Sequence, residues 1–339
     1  MIRLINKIGL GLSLLFAIYS CSEGTPKATQ EKTKKTEDKI EASVIVPIFN
    51  ADSAYAFVKA QTDFGPRTPG SEAHTKCAEW LYSKLKIYAP KVQIQEYRVR
   101  GFDGRTLNGK NIIASFNPEQ KKRMILCAHW DSRPFADQET DAKLHNTAID
   151  GANDGASGVG VILEIARLMK TTPTDIGVDV IFFDLEDLGP PAYAEIYENG
   201  DQYWAMGSQY WAQNPHEFGY TAKFGILLDM VGSKETVFFK EGFSYQFASK
   251  YVDLIWKTAK ELGYSNLFID EVNGAINDDH LPMNRYADIP TVDVIGLSDD
   301  GVNTFASHWH TTKDNIDAID RETLGIVGKV ITTVTYRQK

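Results

Sequence analysis

Three apolar runs in this chain each lead into groups that are costly to bury alone. "RMILCAH" ends at His129, "VDVIFFDLED" runs into Glu186 and Asp187, and "KFGILLD" ends at Asp229. Aliphatic and aromatic residues fill these runs on both faces, the pattern of inner strands in a parallel sheet. In open sheets of that kind, ligands gather at the carboxyl ends of the strands. Buried carboxylates are unfavourable unless paired or metal-bound. The chain is therefore constrained to an α/β arrangement that presents a histidine and several acids at one edge of its sheet.

The flanking segments agree with that frame. Residues 51–62, 72–88, 157–170, 246–262 and 321–336 read as helices. Ala78, Leu81, Leu85 and Tyr88 mark the core side of the second, and Val159, Ile162, Leu163, Ala166 and Met169 that of the third. Asn153 or Asp154 stands where a cap for that third helix is expected. "VQIQEYRVR" alternates as a half-exposed strand does, and "IPTVDVIG" reads as another inner strand. "KNIIASF" and "RMILCAH" are expected to be neighbours in the sheet. Strands alternating with helices predict an α/β fold: a mixed, largely parallel central sheet sandwiched by helices. No linker is visible within residues 46–339, which read as a single catalytic domain.

The first part of the chain is not fold. Arg3 and Lys7 precede an apolar stretch over residues 8–19, too short for a spanning helix and suited to a signal peptide over residues 1–20. Ser20 before Cys21 resembles a bacterial lipobox, which implies cleavage before Cys21 and lipid attachment there. An exported lipoprotein at the periplasmic face of the inner or outer membrane is the expectation. Residues 21–45 contain few large apolar side chains and read as a disordered tether. A net charge of −9 argues against nucleic acid as a partner. Cys77 and Cys127 fit no zinc spacing, and Cys127 reads as a buried thiol within a strand.

Further candidates lie beyond the strand ends. Asp154 opens the helix after "AIDGAN", "NDDH" supplies Asp278, Asp279 and His280, and "SHWHTTKDN" supplies His308, Trp309 and His310. Imidazole nitrogens with carboxylate oxygens suit zinc.

The order of these elements resembles the family of two-zinc aminopeptidases that also contains the zinc glutaminyl cyclases. The matching elements are His129-Trp130-Asp131, Asp154 followed by small residues, the paired acids Glu186-Asp187, then Asp229, and the late His310. In the aminopeptidases, the resemblance implies Asp154 bridging two zinc ions. Asp187 and His310 would complete one site, His129 and Asp229 the other, and Glu186 would be the general base.

In the glutaminyl cyclase branch the resemblance implies one zinc per chain on Asp154, Asp187 and His310. Glu186, Asp229 and Asp278 would then be the catalytic acids and Trp309 a wall for substrate. "DDHLP" at 278–282 and Trp309 before His310 resemble that branch. The implied substrates are peptides and exported proteins with N-terminal glutamine. His129 is then expected to be support for the site rather than a ligand, oriented by Asp131, whose alternative reading is a turn cap. Two departures stand out: Asp187 occupies a position where many members have Glu, and no tryptophan follows the paired acids until Trp204.

Other polar groups have plainer readings. Asp279 and His280 are expected to shape their loop, His308 to lie at the surface, and His74, His145 and His216 to be solvated. Asp184 is expected to serve the strand end. Trp204 and Trp211, seven apart, are expected on one helix as core.

Overall fold

Alternation inside the apolar runs decides which helices pack where. A computed structural model describes residues 44–194, 200–234, 236–298 and 304–339. The leader, Cys21 and all of the expected tether up to residue 43 lie outside the described residues. The elements follow the chain as α1 (Ala51–Thr62), α2 (Glu72–Tyr88), β1 (Lys91–Arg100), β2 (Thr106–Phe116), β3 (Arg123–His129), α3 (Ala156–Thr171) and β4 (Gly177–Phe183). Then come α4 (Met206–Gln213), β5 (Gly225–Asp229), β6 (Phe238–Lys240), α5 (Gly242–Glu261), β7 (Phe268–Val272), α6 (His280–Tyr286), β8 (Thr291–Ile295) and α7 (Arg321–Tyr336).

Six strands form the main sheet in the order β1-β2-β4-β3-β5-β8. β4, β3, β5 and β8 run parallel, while β1 and β2 add an antiparallel edge. Successive side chains in a strand point to opposite faces. Met124, Leu126 and Ala128 of β3, with Val178, Val180 and Phe182 of β4, therefore join a large core under α1, α2, α3, α5 and α7. Ile125 and Cys127, with Ile181 and Phe183, face the other way and meet Trp211 of α4 and Met283 of α6. This is the expected mixed, largely parallel sheet between helices. Cys77 and Cys127 are both buried free thiols. No helix among the described residues is long and apolar enough to cross a membrane.

Three local expectations change. β2 and β3 are not neighbours, because β4 lies between them and pairs with both. Arg123 at the start of β3 grips Asp179 of β4 at 2.6 and 2.8 Å, a buried two-pronged pair that holds this order. α5 starts at Gly242, earlier than the apolar period indicates, because Glu241 caps it by accepting the N–H groups of Phe243 and Ser244. Neither Asn153 nor Asp154 caps α3 with its side chain; Gly155 holds that position. Asn153 instead accepts the N–H of Gly232, and Asp154 faces the site.

Candidate metal centre and active site

The strand ends converge as the apolar runs require. β3 delivers His129, β4 leads into Glu186 and Asp187, and β5 delivers Asp229. The turn before α3 brings Asp154, the loop before α6 brings Asp278, and the loop before α7 brings Trp309 and His310. Asp154, Glu186, Asp187, Asp229, Asp278, Trp309 and His310 all line one cavity of about 210 Å³.

Among the described residues three sets of donors are close enough for a metal: Asp278 with His280 and Asp293, and two sets that share Asp154. Asp154, Asp187 and His310 offer one donor atom each within 4.8 Å of one another, and so do His129, Asp154 and Asp229. Nε2 of His310 lies 3.6 Å from Asp154 and 3.4 Å from Asp187. Oδ2 of Asp187 is buried with no hydrogen-bond partner among the described residues, as a carboxylate oxygen that serves a metal would be. Mixed nitrogen and carboxylate donors of this kind suit zinc, and Asp154, Asp187 and His310 would hold it with three protein donors, as catalytic zinc sites do. The residues present thus fit the metal that the donor chemistry implies.

His129 sits between two acids, its Nε2 at 3.0 Å from Asp154 and 3.2 Å from Asp229. Burial opposes its charged form, but Asp131, Asp154 and Asp229 outweigh that and raise its pKa well above the usual histidine value. The close approach needs a glycine beside it, because a Cβ at Gly155 would collide with the His129 ring. Asp131 touches Nδ1 of His129 only at 3.5 Å. Its carboxylate instead accepts the N–H groups of Glu186 and Asp187, each at 3.2 Å, and so holds the turn of the paired acids.

Left-handed backbone occurs in three separate segments of the site. Leu185 before Glu186, Met230 after Asp229, and His310 itself have φ values of 61°, 50° and 53°. Each costs on the order of 1–3 kcal/mol for a residue with a side chain, and such strain concentrates at functional sites.

The acids carry strongly perturbed protonation. Burial pushes Glu186 well above the usual carboxylate range, and the charges of Asp278 and Asp187 add to it. Burial and the charge of Asp229 raise Asp278 to about 7. Burial and the charge of Asp154 raise Asp229 to about 6.

Several groups escaped the sequence reading. Arg133 is buried and grips Asp137 at 2.8 and 2.7 Å. Its Nη1 lies 3.0 Å from Oδ1 of Asp187. Asp137 in turn lies 3.2 Å from Nδ1 of His310, leaving Nε2 to face Asp154 and Asp187. The only signal was "SRPFAD" directly after the "HWD" run. Trp204 is a wall of the cavity rather than helix core. α4 begins only at Met206, after Ala205 in the left-handed region, so Trp204 is off the helix while Trp211 is buried on it as expected. Trp204 is parallel to the His310 ring with centroids 6.3 Å apart, and Trp309 stacks on the same ring at 3.8 Å.

The remaining histidines divide. His74 is buried against Asp184 at 2.9 Å and stacked on Trp130, so it is not solvated. Asp184 does serve the strand end, accepting the N–H of Lys110. His308 is buried beside Asn153 rather than at the surface. His145 and His216 are half-buried, His145 stacked on Tyr193 and His216 accepting from Trp211. His280 is buried between Glu241 at 3.1 Å and Asp293 at 3.5 Å. The short polar stretches around these histidines conceal the burial, because their partners are distant in sequence.

Known proteins repeat this architecture. A glutaminyl cyclase of Bacteroides thetaiotaomicron, solved bound to N-acetylhistamine, is 49% identical with a TM-score of 0.85, covering 87% of this chain and 100% of that one. A structure described as a leucine aminopeptidase precursor from the same organism is also 49% identical, with a TM-score of 0.84 and the same coverage. The glutaminyl-peptide cyclotransferase of Bothrops jararaca is 25% identical over 248 residues, 65% of this chain, and the match spans 63% of that relative's length. The model of peptidase family M28 matches residues 111–335. With that match added to the geometry of the strand ends, the chain belongs to peptidase family M28, a zinc-dependent enzyme family.

Proposed function

We propose that the protein is a glutaminyl-peptide cyclotransferase that converts N-terminal glutamine to pyroglutamate with release of ammonia at a single zinc. The observation that carries this reading is Asp278. This acid of the "DDHLP" stretch shares the cavity with Glu186, Asp229 and Trp309. Three carboxyls with raised pKa values suit a reaction whose task is proton movement between two nitrogens of one substrate.

The chemistry needs no water as nucleophile. The α-amine of the substrate attacks its own γ-carbonyl carbon, the bond to the side-chain nitrogen breaks, and ammonia leaves. Asp154, Asp187 and His310 would hold zinc, which supplies Lewis acidity toward the γ-carbonyl oxygen. Glu186 takes a proton from the attacking amine and returns it to the departing nitrogen. Such a shuttle contributes about 10²–10⁴-fold. Asp229 and Asp278 hold the amine and the amide nitrogen in line. Trp309 packs against the glutamine side chain. His129, protonated between Asp154 and Asp229, offsets the charge of that acid pair.

A second reading, a two-zinc aminopeptidase, is favoured by one observation: His129, Asp154 and Asp229 form a second donor set. Parallel incubations with Gln-initiated and Leu-initiated peptides separate the two. Ammonia from the first and no free leucine from the second supports the cyclase; free amino acids from both sink it. The same proposal extends to location, with export and lipid on Cys21 presenting the enzyme to exported peptides and proteins at the periplasmic membrane face.

A further inference from the structure

A second cavity, of about 270 Å³, adjoins the first and shares two of its walls, Asp201 and Asn277. Asn277 reaches toward the backbone carbonyl of Asp201 at 3.5 Å, so the two residues form a saddle between the cavities. Beyond the saddle, the groove is bounded by Gln209, Phe243, Arg285 and Tyr286. The first cavity is crowded with carboxyls, whereas Arg285 is the one cation among the described residues lining the second. Its guanidinium lies 5.5 Å from the centre of the Phe243 ring, which restrains it. Among the described residues no carboxylate is paired with it.

We infer that this groove is the subsite for the second and third residues of a peptide whose first residue occupies the metal cavity, and that it prefers acidic side chains there. The inference rests on the proposed occupancy of the first cavity by a peptide N-terminus, common to both reactions considered above. Adjacent residues of an extended chain are about 3.3–3.6 Å apart, so a peptide leaving the first cavity over the Asp201–Asn277 saddle enters the groove within its next residues. The side-chain amide of Asn277 offers a donor and an acceptor for its backbone, and Gln209, whose amide nitrogen already donates to the carbonyls of Gln202 and Trp204, offers its oxygen as an acceptor. Arg285, exposed at the rim of the groove, then meets an acidic side chain, and half-buried Phe243 and exposed Tyr286 provide apolar area beside it. Asp201 at the saddle is the one carboxylate among the described residues of this lining, so the groove lacks the crowded negative charge of the first cavity.

The test compares kcat/KM for Gln-Glu-Glu-Ala and Gln-Lys-Lys-Ala on zinc-loaded wild type, R285Q and R285E. Glutamine amide, too short to reach the groove, is the control. Wild type should favour the Glu peptide over its Lys counterpart. R285E should shift that ratio about threefold to tenfold toward the Lys peptide, the scale of one or two partly exposed ion pairs. R285Q should fall between, and glutamine amide should be turned over equally by all three. A ratio unchanged in R285E overturns the inference. Following products by mass separates this from failure of the proposed reaction, because removal of the first residue would reveal an aminopeptidase while still reporting the ratio. If neither product forms, calorimetric Kd values for the two peptides give the same ratio, and one insensitive to R285E overturns the subsite directly.

Discussion

Arg133 places its Nη1 3.0 Å from Oδ1 of Asp187, with both groups buried. The same guanidinium grips Asp137, which faces His310, so one cation ties together two of the three proposed zinc ligands. Aspartate at 187 is a methylene shorter than glutamate, and Arg133 fixes where its carboxylate ends. Arg133→Gln leaves two buried carboxylates without their partner. It should lower stability by on the order of 3 kcal/mol or more. It should also weaken zinc binding about 10–100-fold, the usual cost of losing a group that orients a ligand. Competition against a chelator reads the second effect, and an unchanged zinc affinity would contradict this role.

Glu186 is assigned the proton shuttle. Glu186→Gln keeps shape and removes the titrating group, so kcat should fall by about 10²-fold or more with zinc content and Tm retained. A variant working at near wild-type rate would refute the assignment. Asp187→Ala should instead lose the metal.

Glu241 provides a pH test away from the cavity. Burial opposes its charge, but hydrogen bonding to His280 and Ser244 outweighs that and lowers its pKa from 4.5 to about 2. A carboxyl with a lowered folded-state pKa stabilises fully above its unfolded value and loses that contribution as pH falls toward the folded value. The loss should therefore run between pH 4.5 and about 2 and amount to on the order of 3 kcal/mol. Urea unfolding at pH 7 and pH 3 should show Glu241→Gln losing less stability on acidification than wild type. Equal losses would show that Glu241 does not carry this linkage.

Cys77 is buried, and burial pushes its thiol up to about 12. The thiolate is the reactive form. Iodoacetamide at neutral pH should therefore leave Cys77 and Cys127 unmodified until the protein is unfolded; rapid labelling of native protein would contradict their burial.

The ends of the apolar runs were legible because burial and charge conflict there. His129, Glu186, Asp187 and Asp229 announce themselves as polar groups closing strands that are apolar on both faces. α1, α2 and α7 follow directly from periodicity, with boundaries matching those expected. Pairing order was less legible: nothing in "KNIIASF" or "RMILCAH" says that β4 will insert between them. The groups that orient others were hidden for a related reason. Arg133 and Asp137 lie in a loop with no period, and their partners Asp187 and His310 are far along the chain. Trp204 looked like helix core because spacing alone does not reveal the left-handed Ala205 that starts α4 two residues later.

The most direct test is the product mass from a Gln-initiated peptide, measured together with zinc stoichiometry on the same protein sample. The account predicts a peptide lighter by one ammonia and one zinc per chain. Release of the N-terminal residue by a protein carrying two zinc ions would contradict it.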